Sequence, residues 1–481
     1  MLYNDYLPKR LMVLSLGTNG VRAKFDELNA GAASDFAYAF AKFCIKEAKK
    51  KNVKLGLGQK KNVKIGLARD MRKTSPCLFD AVASAIMEAG CDVLDFGLIP
   101  SPVAEWALAH YKADGLIIVT ASHNPPEWNA LKFVDKNGVA VSRERGENFG
   151  EYLEKPHAPA LDWKEIGKIQ KINTVLDDYS KDVLANIDKK KIKKLKIVAD
   201  PGNGTSTLIA PALLRSLGAQ VIVINEPLDG TFPNRLSEPA EANLQQLIKK
   251  VKETKSDFGV AWDGDADRTT FVDEKGRWIV GDKCVAISAK WALMNEKNAK
   301  EKMVATTSAT SKVVEDIASA FGAKTLYTDV GAPYLAEQMC KLISKMVSGG
   351  EEVGGIVYPK FSLAKDGIFA SCKLMEIVSQ KPLSQWLDEL PSYYNSKTKI
   401  SANAKQKQTA LNSIIQKAKS NANGSLIPLI GGFRLNFKDS WVLVRASGTE
   451  DYIRIFAEGK SEKQAQELMN EYKKLVEQNL N

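Results

Sequence analysis

Residues 120–132 read Thr120-Ala-Ser-His-Asn-Pro-Pro-Glu-Trp-Asn-Ala-Leu-Lys132. The apolar run 115–119 ahead of Ser122 predicts a strand, and Pro125 and Pro126 behind it prevent a helix from continuing. This places Ser122 on a tight exposed turn, where a hydroxyl is a candidate for covalent chemistry; a turn serine bonding its own backbone is the alternative. A second constellation is Asp263-Gly-Asp-Ala-Asp-Arg268, three carboxylates at alternate positions in a loop supple enough to wrap a hard cation with oxygen ligands. Magnesium is favoured, with an EF-hand calcium loop and a metal-free acidic loop as the alternatives. Against the EF-hand, Arg268 stands where its turn needs glycine, and the flanks 258–262 and 269–273 are strand-like. Arg445-Ala-Ser-Gly-Thr-Glu450 reads as an anion nest or a polar hairpin turn; in the first case Gly448 lets backbone N–H groups converge, Ser447 and Thr449 add hydroxyls, and Arg445 with Arg454 supplies guanidinium forks. The glycine-rich stretch 349–355 carries Glu351 and Glu352 and is either a flexible linker or a loop able to approach a sugar closely. Leu16-Gly-Thr-Asn-Gly-Val-Arg22 sets an arginine after a glycine turn.

These loops need strands to hold them. Val63-Lys-Ile-Gly-Leu67, an amphipathic stretch 78–87 and Ala89-Gly-Cys-Asp-Val93 form a strand, helix, glycine stop, strand unit. Units at 195–222 and 302–326 repeat the order, with stops at Gly218 and Gly322 matching Gly90. Three similar α/β domains in tandem follow. The remainder predicts strands over 433–437, 441–444 and 452–456 and a helix over 461–478, a smaller α+β domain. The near-duplicate of 60–67 at 50–57 reads as a surface insertion.

A chain of 481 residues is too long for one core. It has no apolar run near the roughly 18 residues of a membrane span and no basic-then-apolar leader, so a cytoplasmic protein is expected. Six scattered cysteines exclude a Cys-x-x-Cys zinc layout, and three histidines leave little for a histidine-rich metal site. The net charge of +11 lies largely in lysine clusters at 49–64 and 189–196, which lack the interleaved aromatics of single-strand readers. They read as solvated surface, with no nucleic-acid or membrane partner, and the charge suits an anionic small substrate.

Together the motifs resemble the α-D-phosphohexomutase superfamily over the full chain. The family's phosphoserine loop is matched at Thr120 to Pro125, its following lysine at Lys132, and its magnesium loop at Asp263 to Arg268. Further matches are Gly17 to Arg22, the partial Arg69-Asp-Met-Arg72, Asp229-Gly-Thr-Phe-Pro233, the sugar loop Gly350 to Gly355 with Asp366-Gly367, and the phosphate loop from Arg445. Ala23 and Ala130 replace family glycines, Asp451 a proline, Val353 a serine and Gly355 a histidine; the sugar loop is similar to that of archaeal-type members.

The resemblance implies four domains around a central cleft, three tandem similar α/β domains with mixed sheets and a smaller C-terminal α+β domain. Their expected bounds are 1–165 with the phosphoserine loop, 166–262 ending at the metal loop, 263–390 with the sugar loop, and 391–481 with the phosphate loop. It implies a mutase exchanging hexose 1-phosphate and 6-phosphate (mannose, glucose or glucosamine) through phosphorylated Ser122 and a 1,6-bisphosphate, the catalytic bisphosphate acting as activator. Mg2+ is held by Asp263, Asp265, Asp267 and the phosphate on Ser122. Arg22, Lys132, His123 and Arg268 form the catalytic set, with Lys132 the preferred base. His123 is not expected to turn its ring onto the preceding hydroxyl as a hydrolase base would. Glu351 and Val353 face the sugar, and Arg445, Ser447, Gly448, Thr449 and Arg454 grip the non-reacting phosphate. The partner is a phosphosugar, and the protein is expected as a monomer or homodimer. The competing readings are a sugar bisphosphate synthase or phosphatase using the same serine, and a catalytically inactive binding relative.

Overall fold

The computed structural model describes residues 20–54, 63–141, 146, 152–153, 162–420, 424–447 and 451–480. The strands form four sheets. The first contains β1 (Val21–Lys24), β2 (Lys64–Arg69), β3 (Asp92–Leu98), β4 (Gly115–Val119), β5 (Trp128–Asp135) and β6 (Ile169–Lys171) in the order β1-β5-β4-β2-β3-β6. Strands β4, β2, β3 and β6 run parallel, β5 pairs antiparallel with β4, and β1 pairs antiparallel with β5. Helix Ser75–Glu88 carries the chain from β2 to β3, and helix Ser101–His110 carries it from β3 back across to β4. The connections therefore diverge between β2 and β4, which makes that crevice the switch point where an open α/β sheet binds its ligand. Ser122 follows β4 and Arg72 follows β2, so both sit at its mouth.

The second sheet holds β7 (Lys196–Asp200), β8 (Gln220–Val223), β9 (Phe258–Trp262), β10 (Thr269–Asp273) and β11 (Trp278–Ile279), in the order β11-β10-β9-β7-β8. The third holds β12 (Met303–Thr307), β13 (Lys324–Thr328), β14 (Met346–Glu351) and β15 (Gly355–Val357), in the order β13-β12-β14-β15. The expected repeat is physical. In each unit the glycine after the helix takes positive φ (Gly90 87°, Gly218 99°, Gly322 69°). The next N–H then reaches back five residues, Cys91 to Ile86, Ala219 to Leu214 and Ala323 to Ala318. This closure caps the last helical carbonyls and turns the chain into the parallel partner strand.

Two expected boundaries are corrected by pairing. Strand β6 pairs with β3, so the first sheet extends past residue 165. Strands β10 and β11 close the second sheet by pairing back onto β9, so the metal loop is an internal hairpin of that domain and not a boundary at 262. The C-terminal sheet has five antiparallel strands rather than the three expected: β16 (Tyr394–Ser401), β17 (Ser425–Leu429), β18 (Gly432–Asn436), β19 (Trp441–Ala446) and β20 (Tyr452–Gly459). Strand β16 carries the largely polar Tyr-Asn-Ser-Lys-Thr-Lys-Ile-Ser, an edge composition with little apolar signal. Residues 50–54 of the first copy of the near-duplication end the helix Ala30–Lys54, and 55–57 lie outside the described residues.

One apolar core runs through the first three domains, from Leu116 through Ile197 and Val260 to Ile368 and Leu374. The fourth domain packs its own around Phe433, Val442, Ile455 and Tyr472. No helix among the described residues is long and apolar enough to cross a membrane.

Candidate active site

Ser122 adopts φ +51°, a left-handed conformation that is costly for a residue with a side chain. Arg72 holds it there. Fully buried, Arg72 donates to the carbonyls of Ser122 (2.8 Å), Asn124 (2.7 Å), Pro125 (2.5 Å) and Trp128 (3.1 Å), and Asp70 fixes its Nε at 3.0 Å. Phe232 covers the guanidinium at 5.1 Å. Arg72→Leu is expected to lower stability by about 3–5 kcal/mol, since it leaves Asp70 and several carbonyls buried without their donor. A denaturation midpoint within error of wild type would contradict this.

The turn is tight as expected, but it is not exposed: Ser122 is only 3% accessible. The metal loop closes over it, with Gly264 so near that a Cβ there would stand 2.8 Å from the Ser122 carbonyl. Ser237 bridges the two, accepting from Gly264 N–H at 2.8 Å and donating to that carbonyl at 3.2 Å.

The Ser122 hydroxyl donates to Asp263 Oδ2 at 2.5 Å. Asp263, Asp265 and Asp267 are all buried, and a ligand oxygen of each lies within 4.8 Å of the others. Asp265 Oδ1 and Asp267 Oδ1 are buried with no hydrogen-bond partner. Burial, then Asp267 and Asp265, raises the Asp263 carboxyl well above the usual range. Convergent, partly unsatisfied oxygen donors are the chemistry of a hard-cation site, and the residues fit magnesium. Ser101, at the start of its helix, donates to Asp265 Oδ2 at 2.5 Å and fixes that ligand's orientation.

Lys132 is brought to the site, but its geometry opposes the expected role as base. Its ammonium lies 2.6 Å from Asp265 and 3.2 Å from Asp267. Burial disfavours the charge, yet the two carboxylates outweigh it and hold the lysine protonated. The expectation for His123 is also corrected: its Nδ1 is 3.5 Å from Ser122 Oγ, so the ring does reach the preceding hydroxyl. Burial, then Arg268 and Arg22, pushes its pKa down to about 3, leaving it neutral near pH 7. Arg22 donates to Asn124 Oδ1 at 2.5 Å, and Arg268 pairs with Glu238 at 2.7 Å while its buried Nε has no hydrogen-bond partner.

The sugar loop is the hairpin between β14 and β15, and its Gly354 carbonyl accepts from Thr269 N–H just after the metal loop. Glu351 is buried and paired with Lys365 at 2.9 Å, and Lys365 also lies 3.3 Å from Asp267. Lys365 and Ser101 were missed as site residues. Lys365 had one available signal, its place just before the Asp366-Gly367 pair. Val353 sits half-buried at the hairpin tip.

In the fourth domain Arg445 and Arg454 are direct cross-strand partners on β19 and β20, so both side chains leave the same face. Two cations so placed repel unless an anion lies between them, and the buried Arg445 Nε has no hydrogen-bond partner. Burial lowers the Arg445 pKa; Asp329, Tyr334 and Glu352 of the third domain oppose that shift. Ser447 N–H bonds the Tyr452 carbonyl. Gly448 and Thr449 lie outside the described residues.

Four domains that bring a strained serine, a carboxylate cluster, a glycine-rich hairpin and paired arginines into one chain define a phosphosugar-handling enzyme. Sequence models of the phosphoglucomutase/phosphomannomutase alpha/beta/alpha domains I, II and III and C-terminal domain match residues 13–156, 177–276, 280–394 and 397–475 in order. The chain is 38% identical over 471 residues to the phosphoglucomutase/phosphomannomutase of Thermococcus kodakarensis, covering 96% of this chain and 98% of that one. It is 33% identical over 470 residues to the phosphoglucosamine mutase of Methanocaldococcus jannaschii, again covering 96% and 98%. The crystal structure of a phosphoglucomutase/phosphomannomutase family protein from Burkholderia thailandensis has the same fold, with a TM-score of 0.82 at 23% identity over 96% of this chain and 97% of that one. The chain belongs to the phosphoglucomutase/phosphomannomutase family. It is a phosphohexomutase, an intramolecular phosphotransferase.

Proposed function

We propose that this phosphohexomutase works through Ser122 as phosphoryl carrier, interconverting hexose 1-phosphate and 6-phosphate by way of a 1,6-bisphosphate. The observation that carries the reading is the Ser122 hydroxyl held 2.5 Å from Asp263 in a carboxylate cluster with unsatisfied oxygens. Asp263, Asp265 and Asp267, with the phosphate on Ser122, would hold Mg2+, which supplies charge neutralisation at the phosphoryl oxygens. Phosphoryl transfer through a loose transition state is mainly positioning and electrostatics. Arg22 and Arg268 serve it as fixed cations, with Lys132 a third and not the base. As the bond from phosphorus to Ser122 Oγ breaks and one to the sugar hydroxyl forms, the hydroxyl proton must leave, and the neutral His123 ring, its Nδ1 3.5 Å from Ser122 Oγ, is the proposed acceptor. The reverse transfer returns the other phosphate to Ser122, so phosphate is conserved.

Glu351 takes sugar hydroxyls, Val353 borders the sugar, and Arg445, Ser447, Gly448, Thr449 and Arg454 grip the phosphate that is not reacting. The relatives' names cover glucose, mannose and glucosamine phosphates, and these three are the substrates proposed. A hexose 1,6-bisphosphate is the proposed activator, and the scattered unpaired cysteines suit a cytoplasmic location. The test is incubation of each hexose 1-phosphate with catalytic bisphosphate. Interconversion without net phosphate release is expected; stoichiometric release would make the enzyme a phosphatase. Parallel kcat/KM values for the three sugars rank the substrates.

A further inference from the structure

Arg434 lies on β18, and no motif marks it. It is fully buried, yet it is not part of the fourth domain's own core. Its Nη1 donates to the carbonyls of Ser308 (2.9 Å) and Thr310 (2.7 Å) in the third domain, and its Nη2 to the Tyr327 hydroxyl (3.3 Å). Its own strand steadies Nε through Asn436 at 2.7 Å. The guanidinium is sandwiched between the Tyr327 ring at 4.3 Å and the Trp441 ring at 4.1 Å. Trp441 and the backbone of Lys312 both donate to the buried carboxylate of Glu458, at 2.7 and 2.8 Å, so a second tie crosses the same interface. A planar fork between two rings, bonded to two fixed carbonyls, defines a distance and an angle; a lysine would define neither.

The two ends of this strut lead to substrate-binding loops. On the fourth-domain side, Arg434 faces Leu443 in the strand register, two residues before Arg445. On the third-domain side, the segment that receives it holds the sugar loop: Thr306 donates to the Gly350 carbonyl at 3.0 Å and Thr307 to Glu352 at 2.8 Å. The Thr307 and Thr310 hydroxyls are themselves in contact at 3.1 Å. The route from Glu352 to Arg445 runs through Thr307, Thr310, Arg434 and the strand pairing with Leu443, a hydrogen bond joining each step across space.

We propose that Arg434 is a positioning residue that sets the spacing between the phosphate grip at Arg445 and the sugar loop at Glu351 across the seam of the third and fourth domains. This rests on the reading of Arg445 as the grip for the non-reacting phosphate. A misplacement of about 1 Å far from the reacting atoms can cost about 10²-fold in rate, which sets the scale of what such a strut protects.

The test is a double-mutant cycle on KM for a hexose 1-phosphate, with thermal unfolding followed in parallel. Arg445→Ala is expected to raise KM and so to check the phosphate grip itself. Arg434→Lys, which keeps the charge and loses the fork, is expected to raise KM at least about tenfold with a smaller change in kcat. In the double variant the two effects should not add, because Arg434 acts through a grip already lost. Should Arg434→Lys fail to fold, Tyr327→Leu removes one ring of the sandwich, leaves the bonds to Ser308 and Thr310, and is expected to raise KM in the same direction. A lower melting temperature with unchanged KM would overturn the proposal, as would strict additivity with Arg445→Ala. If Arg445→Ala leaves KM unchanged, the phosphate-grip reading fails and takes this inference with it. If only the Arg434 and Tyr327 variants leave it unchanged, the grip stands and the strut alone is refuted.

Discussion

Ser122→Ala is expected to abolish hexose phosphate interconversion, with a fall in kcat of about 10⁶-fold, the scale seen when a covalent nucleophile is removed. Alanine has the same Cβ, so the left-handed backbone held by Arg72 persists. The change deletes the oxygen that carries the phosphoryl group and the donor to Asp263. Leaving that carboxylate oxygen buried and unbonded costs about 1–3 kcal/mol, far less than the catalytic loss. A folded variant with no turnover and no capacity for phosphorylation is therefore the expected result. Activity within tenfold of wild type would show that Ser122 carries nothing.

Asp265→Asn is expected to weaken Mg2+ binding and turnover together. Loss of a partner that merely orients a ligand typically costs 10–100-fold in metal affinity, so loss of a ligand charge should cost at least about 10²-fold. Asp265 is the informative position because its two oxygens have separate tasks. Oδ2 receives Ser101 and Lys132, whereas Oδ1 is buried and unpaired. The amide is nearly isosteric, so the loop should keep its shape. Calorimetric titration of the unphosphorylated variant with Mg2+ reads the affinity without reference to activity. Unchanged affinity would remove the metal from this cluster.

The chemistry-bearing loops were legible because each is a run of consecutive residues whose composition states its task. Thr120 to Pro125 and Asp263 to Arg268 can be read without knowing what lies beside them. The repeat was legible for a local reason as well, since Gly90, Gly218 and Gly322 each end a helix by the same closure. What sequence could not show was juxtaposition. Ser122 was expected on an exposed turn because nothing in its own segment says that Gly264 and Ser237 close over it. Lys132 was expected to accept a proton, but a lysine's protonation is decided by its neighbours, here Asp265 and Asp267. Lys365, Ser101 and Arg434 act at distances of tens to hundreds of residues along the chain, and none sits in a pattern of its own. The boundary expected at residue 262 failed because a hairpin between β9 and β10 looks, in sequence, like one unit ending and another beginning.

The most direct measurement is peptide mass mapping after the enzyme meets a hexose 1,6-bisphosphate, followed by a single-turnover chase with hexose 1-phosphate. The account predicts one phosphoryl group on the peptide containing Ser122, lost to sugar and regained as turnover proceeds. Interconversion of the two hexose phosphates while Ser122 stays unmodified would contradict it.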